Sequence, residues 1–334
     1  MLKAQSKTMS HLFVGAIAAI SLSVATLNTG ASAADKVLDK VHFLIPGGAG
    51  GGWDGTARGT GEALTRSGIV GNASYENMSG GGGGKAIGFL IENAASNHGT
   101  LMVNSTPIVI RSLVGRFPHN FRDLTMIAGT IGDYAAIITG KNSPYKNFND
   151  LVAAYKKNPR KVSVGGGSVP GGMDHLVAAM AFQSAGADPT KVKYIPFDAG
   201  GKLNAAILSG EVSAGSTGFS EAVALAKSGE MRILAVTSDK RVPAFEDAPT
   251  LKEQGYNTTF VNWRGFFAAP GLPEAKANEY RKAIAAMYAT PEWKTVRDRN
   301  GWVDIHNSGP DFTAFLSEQE MVIKGLMTKL GFLK

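Results

Sequence analysis

The sequence predicts an α/β protein of two lobes, each a mainly parallel sheet flanked by helices, with the lobes joined by crossing strands. Three observations support this fold class. Short runs rich in β-branched residues alternate with longer helical stretches after residue 34, which is typical of sheets covered by helices. Two glycine-rich turns each stand between a strand and a helix. No segment rich in proline and serine separates the two halves of the chain.

Most predicted strands are short apolar runs with β-branched residues, bounded by glycine or polar residues. In chain order they are Val41–Ile45, Ser74–Met78, Leu101–Asn104, Met126–Gly129, Ala135–Thr139, Val162–Gly165, Val192–Phe197, Ala214–Thr217, Ile233–Thr237 and Asn262–Ala268. The stretches between and after them predict helices, one of which ends at Asn158-Pro159 because proline disfavours helix in the residue before it. These helices are Trp53–Arg66, Ala86–Ala95, Phe148–Lys157, Gly172–Gly186, Gly201–Leu208, Glu221–Lys227, Pro249–Gly255, Pro273–Ala289, Pro291–Asp298 and Asp311–Leu330.

We expect one lobe to consist of residues 34–135 and 245–334, and the other of residues 136–244. The tail from about Pro249 should pack back on the first lobe. A chain that crosses more than once between two lobes leaves a hinged cleft, an architecture typical of binding proteins.

The first 33 residues have the features of a secretory signal peptide. Lys3 and Lys7 precede an apolar run of about 16 residues, Leu12–Leu27, and the small residues Ala31-Ser32-Ala33 follow it. The alternative is a membrane anchor, but that run is shorter than the roughly 20 residues that span a bilayer. We expect cleavage after Ala33 or Ala34 and export to the periplasm.

Composition excludes several classes of site. The chain has 334 residues and no cysteine, so thiol nucleophiles, zinc–thiolate sites and iron–sulfur clusters are ruled out. The formal charge is +7, but lysine and arginine are scattered, whereas nucleic-acid binding needs a concentrated basic stripe. We therefore expect no nucleic-acid partner and no cofactor.

The two glycine-rich turns predict an anion-binding cleft. The first, Gly47–Asp54, separates the first strand from the first helix, and the second, Gly165–His175, has the same arrangement. Glycines allow a ligand to approach the backbone, and the free N–H groups of a helix start point into the same space. Alternatively, the glycines only form tight turns. Asp54 and Asp174 fall in first helical turns, where capping is favoured over ligand contact.

Three sharper motifs are rejected. Gly50-x-Gly52-x-x-Gly55 matches the dinucleotide fingerprint, but Asp54 would crowd the pyrophosphate. Gly80–Gly84 before Lys85 lacks the first glycine and the final hydroxyl of a P-loop. Ser168 with Asp174-His175 suggests a hydrolase, but adjacent helix residues point about 100° apart, so this aspartate cannot orient this histidine.

The motifs together resemble one family. Its members are the extracytoplasmic solute receptors of tripartite tricarboxylate transporters, the TctC or Bug family. The resemblance covers nearly the whole chain after the signal peptide, and the segments that carry it are Gly47–Arg58, Glu76–Gly88, Gly166–Leu176, Pro196–Gly201, Ser209–Glu221, Arg232–Arg241, Ala248–Tyr256 and Asn262–Gly271. One departure is an unbroken five-glycine run, Gly80–Gly84, where the family usually has G-A-G-G.

The resemblance implies a periplasmic binding protein (Venus-flytrap) fold and a receptor that is not an enzyme. Such a receptor captures a small organic carboxylate, a tricarboxylate such as citrate or a related dicarboxylate, and delivers it as a monomer to integral membrane transporter subunits. The implied ligand-binding residues are Ala49, Gly50, Gly51, Gly52, Trp53, Asp54, Asn104, Ser105, Thr106, Ser168, Gly171, Gly172, Met173, Asp174, His175, Asp198 and Ser220. A secreted α/β hydrolase and a carboxylate sensor that feeds a signalling partner stay open as alternatives.

Overall fold

The computed structural model describes residues 36–115 and 117–333. The predicted signal peptide lies outside these residues. Strands and helices alternate over most of the described chain. The strands are β1 (Leu38–Ile45), β2 (Val70–Asn77), β3 (Thr100–Ser105), β4 (Thr125–Gly140), β5 (Ser163–Gly166), β6 (Lys193–Pro196), β7 (Ala214–Gly218), β8 (Met231–Val236), β9 (Val261–Ala268) and β10 (Val303–Ser308). The helices are α1 (Gly52–Arg66), α2 (Gly84–Glu92), α3 (Thr106–Val114), α4 (Phe148–Lys157), α5 (Met173–Ser184), α6 (Ala199–Ser209), α7 (Phe219–Lys227), α8 (Glu274–Tyr288), α9 (Pro291–Asn300) and α10 (Pro310–Lys329).

The strands form a mixed sheet in the order β2-β1-β3-β9-β4-β7-β5-β6, with β8 and β10 also paired to β4. Strand β4 belongs to both halves of this sheet. Its first part pairs with β9 and β10, and its last residues, Ala135–Gly140, pair with β7 and β8. Parallel pairs lie to either side, β1 with β2 and β3, and β5 with β6 and β7. Every pairing of β4 and β9 is antiparallel, so the sheet is mixed.

Helices cover both faces of each half of the sheet. In the first half, α1, α8 and α9 contribute to one apolar cluster, and α2, α3 and α10 to another. In the second half, α4 packs on one face, while α6 and α7 pack on the other. Strand β9 lies between β3 and β4 and is buried over nearly its whole length. Any polar side chain in β9 is therefore withdrawn from solvent.

The structure differs from the element predictions at four places. Met126–Gly129 and Ala135–Thr139 are parts of the single strand β4, because the residues between them are extended and buried as well. Pro249–Gly255 is a series of turns, which is attached to the end of β8 because the Leu251 N–H donates to Val236 O at 2.9 Å. Helix α3 and strand β10 were not predicted. Helix α3 starts directly after β3 with Pro107 in its first turn, where proline needs no N–H partner.

No helix in residues 36–115 and 117–333 is long and apolar enough to cross a membrane.

Candidate functional site

Five helices begin at the wall of one cavity. Helices α1, α3, α5, α6 and α7 follow strands β1, β3, β5, β6 and β7, and at least one residue in the first turn of each helix lines a cavity of about 300 Å³. Since carboxyl ends of parallel strands meet at one edge of a sheet, ligands bind there in open α/β proteins. Each helix start has a partial positive charge and N–H groups without helical acceptors. The cavity is therefore suited to an anion.

The first glycine loop approaches the opposite wall closely. A Cβ atom at Gly51 would lie 2.7 Å from Ala199 Cβ, at the start of α6. Gly50 has a φ of +74°, which favours glycine, and its N–H donates to Asp54 Oδ2 at 3.0 Å. The Trp53 indole lines the cavity and donates from Nε1 to Ser105 Oγ at 2.8 Å. This bond ties the start of α1 to the end of β3.

Hydrogen bonds of Ser168 and His175 fix the conformation of the second glycine loop. Ser168 Oγ accepts the Asp174 N–H at 3.0 Å and lies 3.1 Å from the Tyr194 hydroxyl. His175 Nδ1 accepts the Gly171 N–H at 3.1 Å, and the ring stacks on Tyr194 with 4.5 Å between centroids. Burial lowers the pKa of His175 to about 4, so the ring is neutral near pH 7. His175 thus shapes the loop and lies outside the cavity wall.

A buried charge cluster of Asp133, Glu221 and Arg264, which we call the floor, contributes Glu221 and Arg264 to the cavity lining. Arg264 Nη2 lies 2.9 Å from Asp133 Oδ2 and 3.6 Å from Glu221 Oε1, and Arg264 is 2% exposed. Ser220 donates to Asp133 from its hydroxyl at 2.7 Å and from its N–H at 3.2 Å. A Cβ at Gly52 would stand only 2.0 Å from Arg264 Nη2. Only glycine lets the start of α1 approach the guanidinium this closely.

Two carboxyl groups that line the cavity, Asp174 and Glu221, hold protons more tightly than usual. Burial, followed by the nearby Glu221 carboxylate, raises the pKa of Asp174 to about 8. Burial also raises the pKa of Glu221 to about 7, although Arg264 acts in the opposite direction. A protonated carboxyl donates a hydrogen bond. Near neutral pH these acids can therefore donate to an anionic ligand instead of repelling it.

The structure brings about half of the predicted site residues together. Those that line the cavity are Gly51, Gly52, Trp53, Ser105, Ser168, Gly172, Met173, Asp174 and Asp198. The others lie beside or behind its wall, and they are Ala49, Gly50, Asp54, Asn104, Thr106, Gly171, His175 and Ser220. Asp54 accepts the Gly50 N–H, which precedes α1, and pairs with Arg58 at 2.8 Å; α1 has no side-chain hydrogen bond at its N-cap. Asp174 lines the cavity but is buried.

Sequence reasoning assigned no role to several cavity residues. Arg264, Arg111, Glu221 and Asn262 line the cavity, and so do Ser79 and the first four glycines of the five-glycine run, Gly80–Gly83. The sequence does distinguish both arginines. Arg264 is the one charged residue of the apolar strand VNWRGFFA, and Arg111 is the one charged residue of the apolar helix TPIVIRSLV. A charge that must be buried in such a run is often functional. Within the described residues, no group of three or more His, Asp or Glu side chains could hold a metal ion.

Comparisons with known proteins relate this chain to one family of receptors. The profile of the tripartite tricarboxylate transporter family receptor, TctC, matches residues 56–332. A UPF0065 protein of Pseudomonas sp. strain P51 is 26% identical over 81% of each chain. A UPF0065 protein of Bordetella pertussis is 27% identical over 60% of this chain and 64% of its own length.

Two solved structures have the same fold. Rpa4515 of R. palustris, determined with adipate, is 20% identical with a TM-score of 0.79 and covers 88% of this chain and 97% of its own. MatC of Rhodopseudomonas palustris, determined with bound malate, is 20% identical with a TM-score of 0.76 and covers 87% and 99%. The predicted two-lobed binding-protein fold is thus confirmed. Because the family profile matches most of the chain, this protein belongs to the tripartite tricarboxylate transporter family of receptors.

Proposed function

We propose that this protein is a periplasmic receptor that captures a small di- or tricarboxylate and delivers it to integral membrane subunits of a transporter. Export would depend on residues 1–33 as a signal peptide. Residues 34–135 with 245–334, and residues 136–244, would be the lobes that close on the ligand. The mature protein would act as a monomer.

The convergence of five helix starts on one cavity is the observation that carries this proposal. An anion at a helix start gains from the dipole and from N–H donors. A cavity of about 300 Å³ is at the lower end of the range for small-molecule sites. This size favours a ligand of few carbon atoms, such as citrate or a short dicarboxylate. The malate and adipate bound to the two structural neighbours belong to the same chemical class.

Isothermal titration calorimetry with a panel of carboxylates tests the binding step. We expect micromolar or tighter affinity, about −8 kcal/mol, for at least one di- or tricarboxylate. Its methyl ester should not bind, because a neutral group gains little from charge-assisted hydrogen bonds. Equal affinity for the acid and its ester would refute the proposal.

Uptake by whole cells tests the delivery step. Deletion of the gene should abolish uptake of the labelled ligand, and a plasmid copy should restore it. Normal uptake in the deleted strain would favour the alternative of a sensor that feeds a signalling partner. The hydrolase alternative gains no support from the geometry, since Ser168 Oγ bonds to Tyr194 and to the Asp174 N–H, and His175 Nδ1 accepts from Gly171. Turnover of a carboxylate ester would revive it.

A further inference from the structure

Arg111 is a cation of the cavity wall that lacks a carboxylate partner. Its side chain lines the cavity from helix α3, and it forms no ion pair with any residue in 36–115 or 117–333. By contrast, Arg264 at the floor is paired with Asp133 and Glu221. Burial lowers the pKa of Arg111, but a guanidinium remains charged at physiological pH. Arg111 therefore has an unneutralised charge to offer to a ligand.

The guanidinium of Arg111 is held in place from two sides. It stacks over the Phe117 ring with 4.6 Å between Cζ and the centroid, and Nη1 donates to Gly81 O. Its Nε is buried without a partner among the described residues. A planar, pre-oriented guanidinium matches a carboxylate through two parallel hydrogen bonds. Arg111 is thus preorganised although its ionic partner is not part of the described chain.

The five-glycine run makes room for this guanidinium. Gly80, Gly81, Gly82 and Gly83 all have φ between +55° and +150°, a region that side chains disfavour. A Cβ at Gly84 would lie 2.5 Å from Arg111 Nη2, and a Cβ at Gly82 would lie 3.2 Å from Nη1. The same Cβ at Gly82 would lie 3.2 Å from Val169 Cγ2, in the second glycine loop. The glycine run thus passes between Arg111 and the opposite wall.

We propose that Arg111, framed by Gly80–Gly84, is a second carboxylate-binding subsite, separate from the helix starts and the floor. This inference rests on the proposed function, since one carboxylate of the ligand must already bind at the helix starts. The receptor then selects ligands with two separated carboxylates and discriminates against monocarboxylates.

Calorimetry with paired ligands tests the subsite. The probes are succinate, glutarate and adipate, each compared with the monocarboxylate of the same chain length. The native protein should bind its best dicarboxylate at least tenfold more tightly than the matched monocarboxylate. Arg111→Met should weaken dicarboxylate binding by about tenfold to a hundredfold and leave monocarboxylate binding unchanged. Arg111→Lys should recover part of the affinity, because the charge is kept and the paired hydrogen bonds are lost.

Arg122→Met is the matched control. Arg122 also stacks over a phenylalanine, Phe121, at 4.3 Å, but it pairs with Glu320 and lies outside the cavity. This variant should bind both ligand types as the native protein does. Melting temperatures of the ligand-free variants report on folding.

The outcomes separate the subsite from the receptor function. If the native protein binds dicarboxylates and Arg111→Met binds them equally well, the subsite is refuted while the receptor function stands. If Arg111→Met weakens mono- and dicarboxylates by the same factor, Arg111 acts on the cavity as a whole and the subsite is again refuted. If the native protein binds no carboxylate, both proposals fall.

Discussion

Replacement of Gly52 by alanine should destabilise the protein through its effect on a buried charge cluster. The new Cβ would stand 2.0 Å from Arg264 Nη2, 2.5 Å from Cζ and 2.9 Å from Glu221 Oε1. Carbon needs about 3.5 Å from such atoms, so the guanidinium must retreat by about 1.5 Å. Its present 2.9 Å contact with Asp133 would then be lost or strained. Because Arg264 is 2% exposed, little solvent is available to replace that contact.

The expected cost combines two effects. Overpacking of a core costs about 1–3 kcal/mol, and removal of one partner from a buried ion pair costs about 3–5 kcal/mol, which is an upper bound here because both partners remain. The side chains will relax in part, so we expect a loss of about 3 kcal/mol in the free energy of unfolding. At roughly 2 cal/mol/K of unfolding entropy per residue, this corresponds to a melting temperature lower by about 5 °C.

Gly55→Ala is the control for helix propensity. Gly55 lies in the same helix, α1, and a Cβ there would meet nothing within 4 Å. Alanine at this position should stabilise the protein by about 0.5–1 kcal/mol. Urea denaturation and thermal melting of both variants, without ligand, measure the difference. If Gly52→Ala is as stable as Gly55→Ala, the close approach of α1 to Arg264 is wrong.

Three further predictions concern the second loop, pH and closure. Ser168→Ala should lower the free energy of unfolding by about 1 kcal/mol, because Oγ accepts the Asp174 N–H; unchanged urea denaturation would contradict this. The pKa of Asp174 is raised to about 8. Between about pH 4 and pH 8 the unfolded chain has therefore lost this proton while the folded protein keeps it, so the free energy of unfolding falls as pH rises. Asp174→Asn should remove that part of the decline, and parallel native and variant melting curves from pH 5 to 8 would refute it. Ligand binding should reduce the radius of gyration in small-angle scattering; an unchanged value at saturation would indicate a rigid cleft.

The sequence by itself determined the fold class and the positions of the glycine loops. Whether a segment forms a strand or a helix depends largely on residues that are close in the sequence. For this reason α4 was predicted with its observed bounds. Glycines between a strand and a helix likewise report a local turn, and both loops line the cavity. Turns at Pro249–Gly255 were misread as helix because their hydrogen bonds to residue 236 are not local.

Only the tertiary structure decided which charges meet. Asp133 lies in β4, Glu221 in α7 and Arg264 in β9, so no spacing in the sequence relates them. Their contact depends on the register of β4 against β9, in which Ile131 is the partner of Arg264. A shift of one residue would turn the Arg264 side chain to the opposite face of the sheet. Register is set by the packing of the whole sheet, and for this reason the charged floor was absent from the sequence predictions.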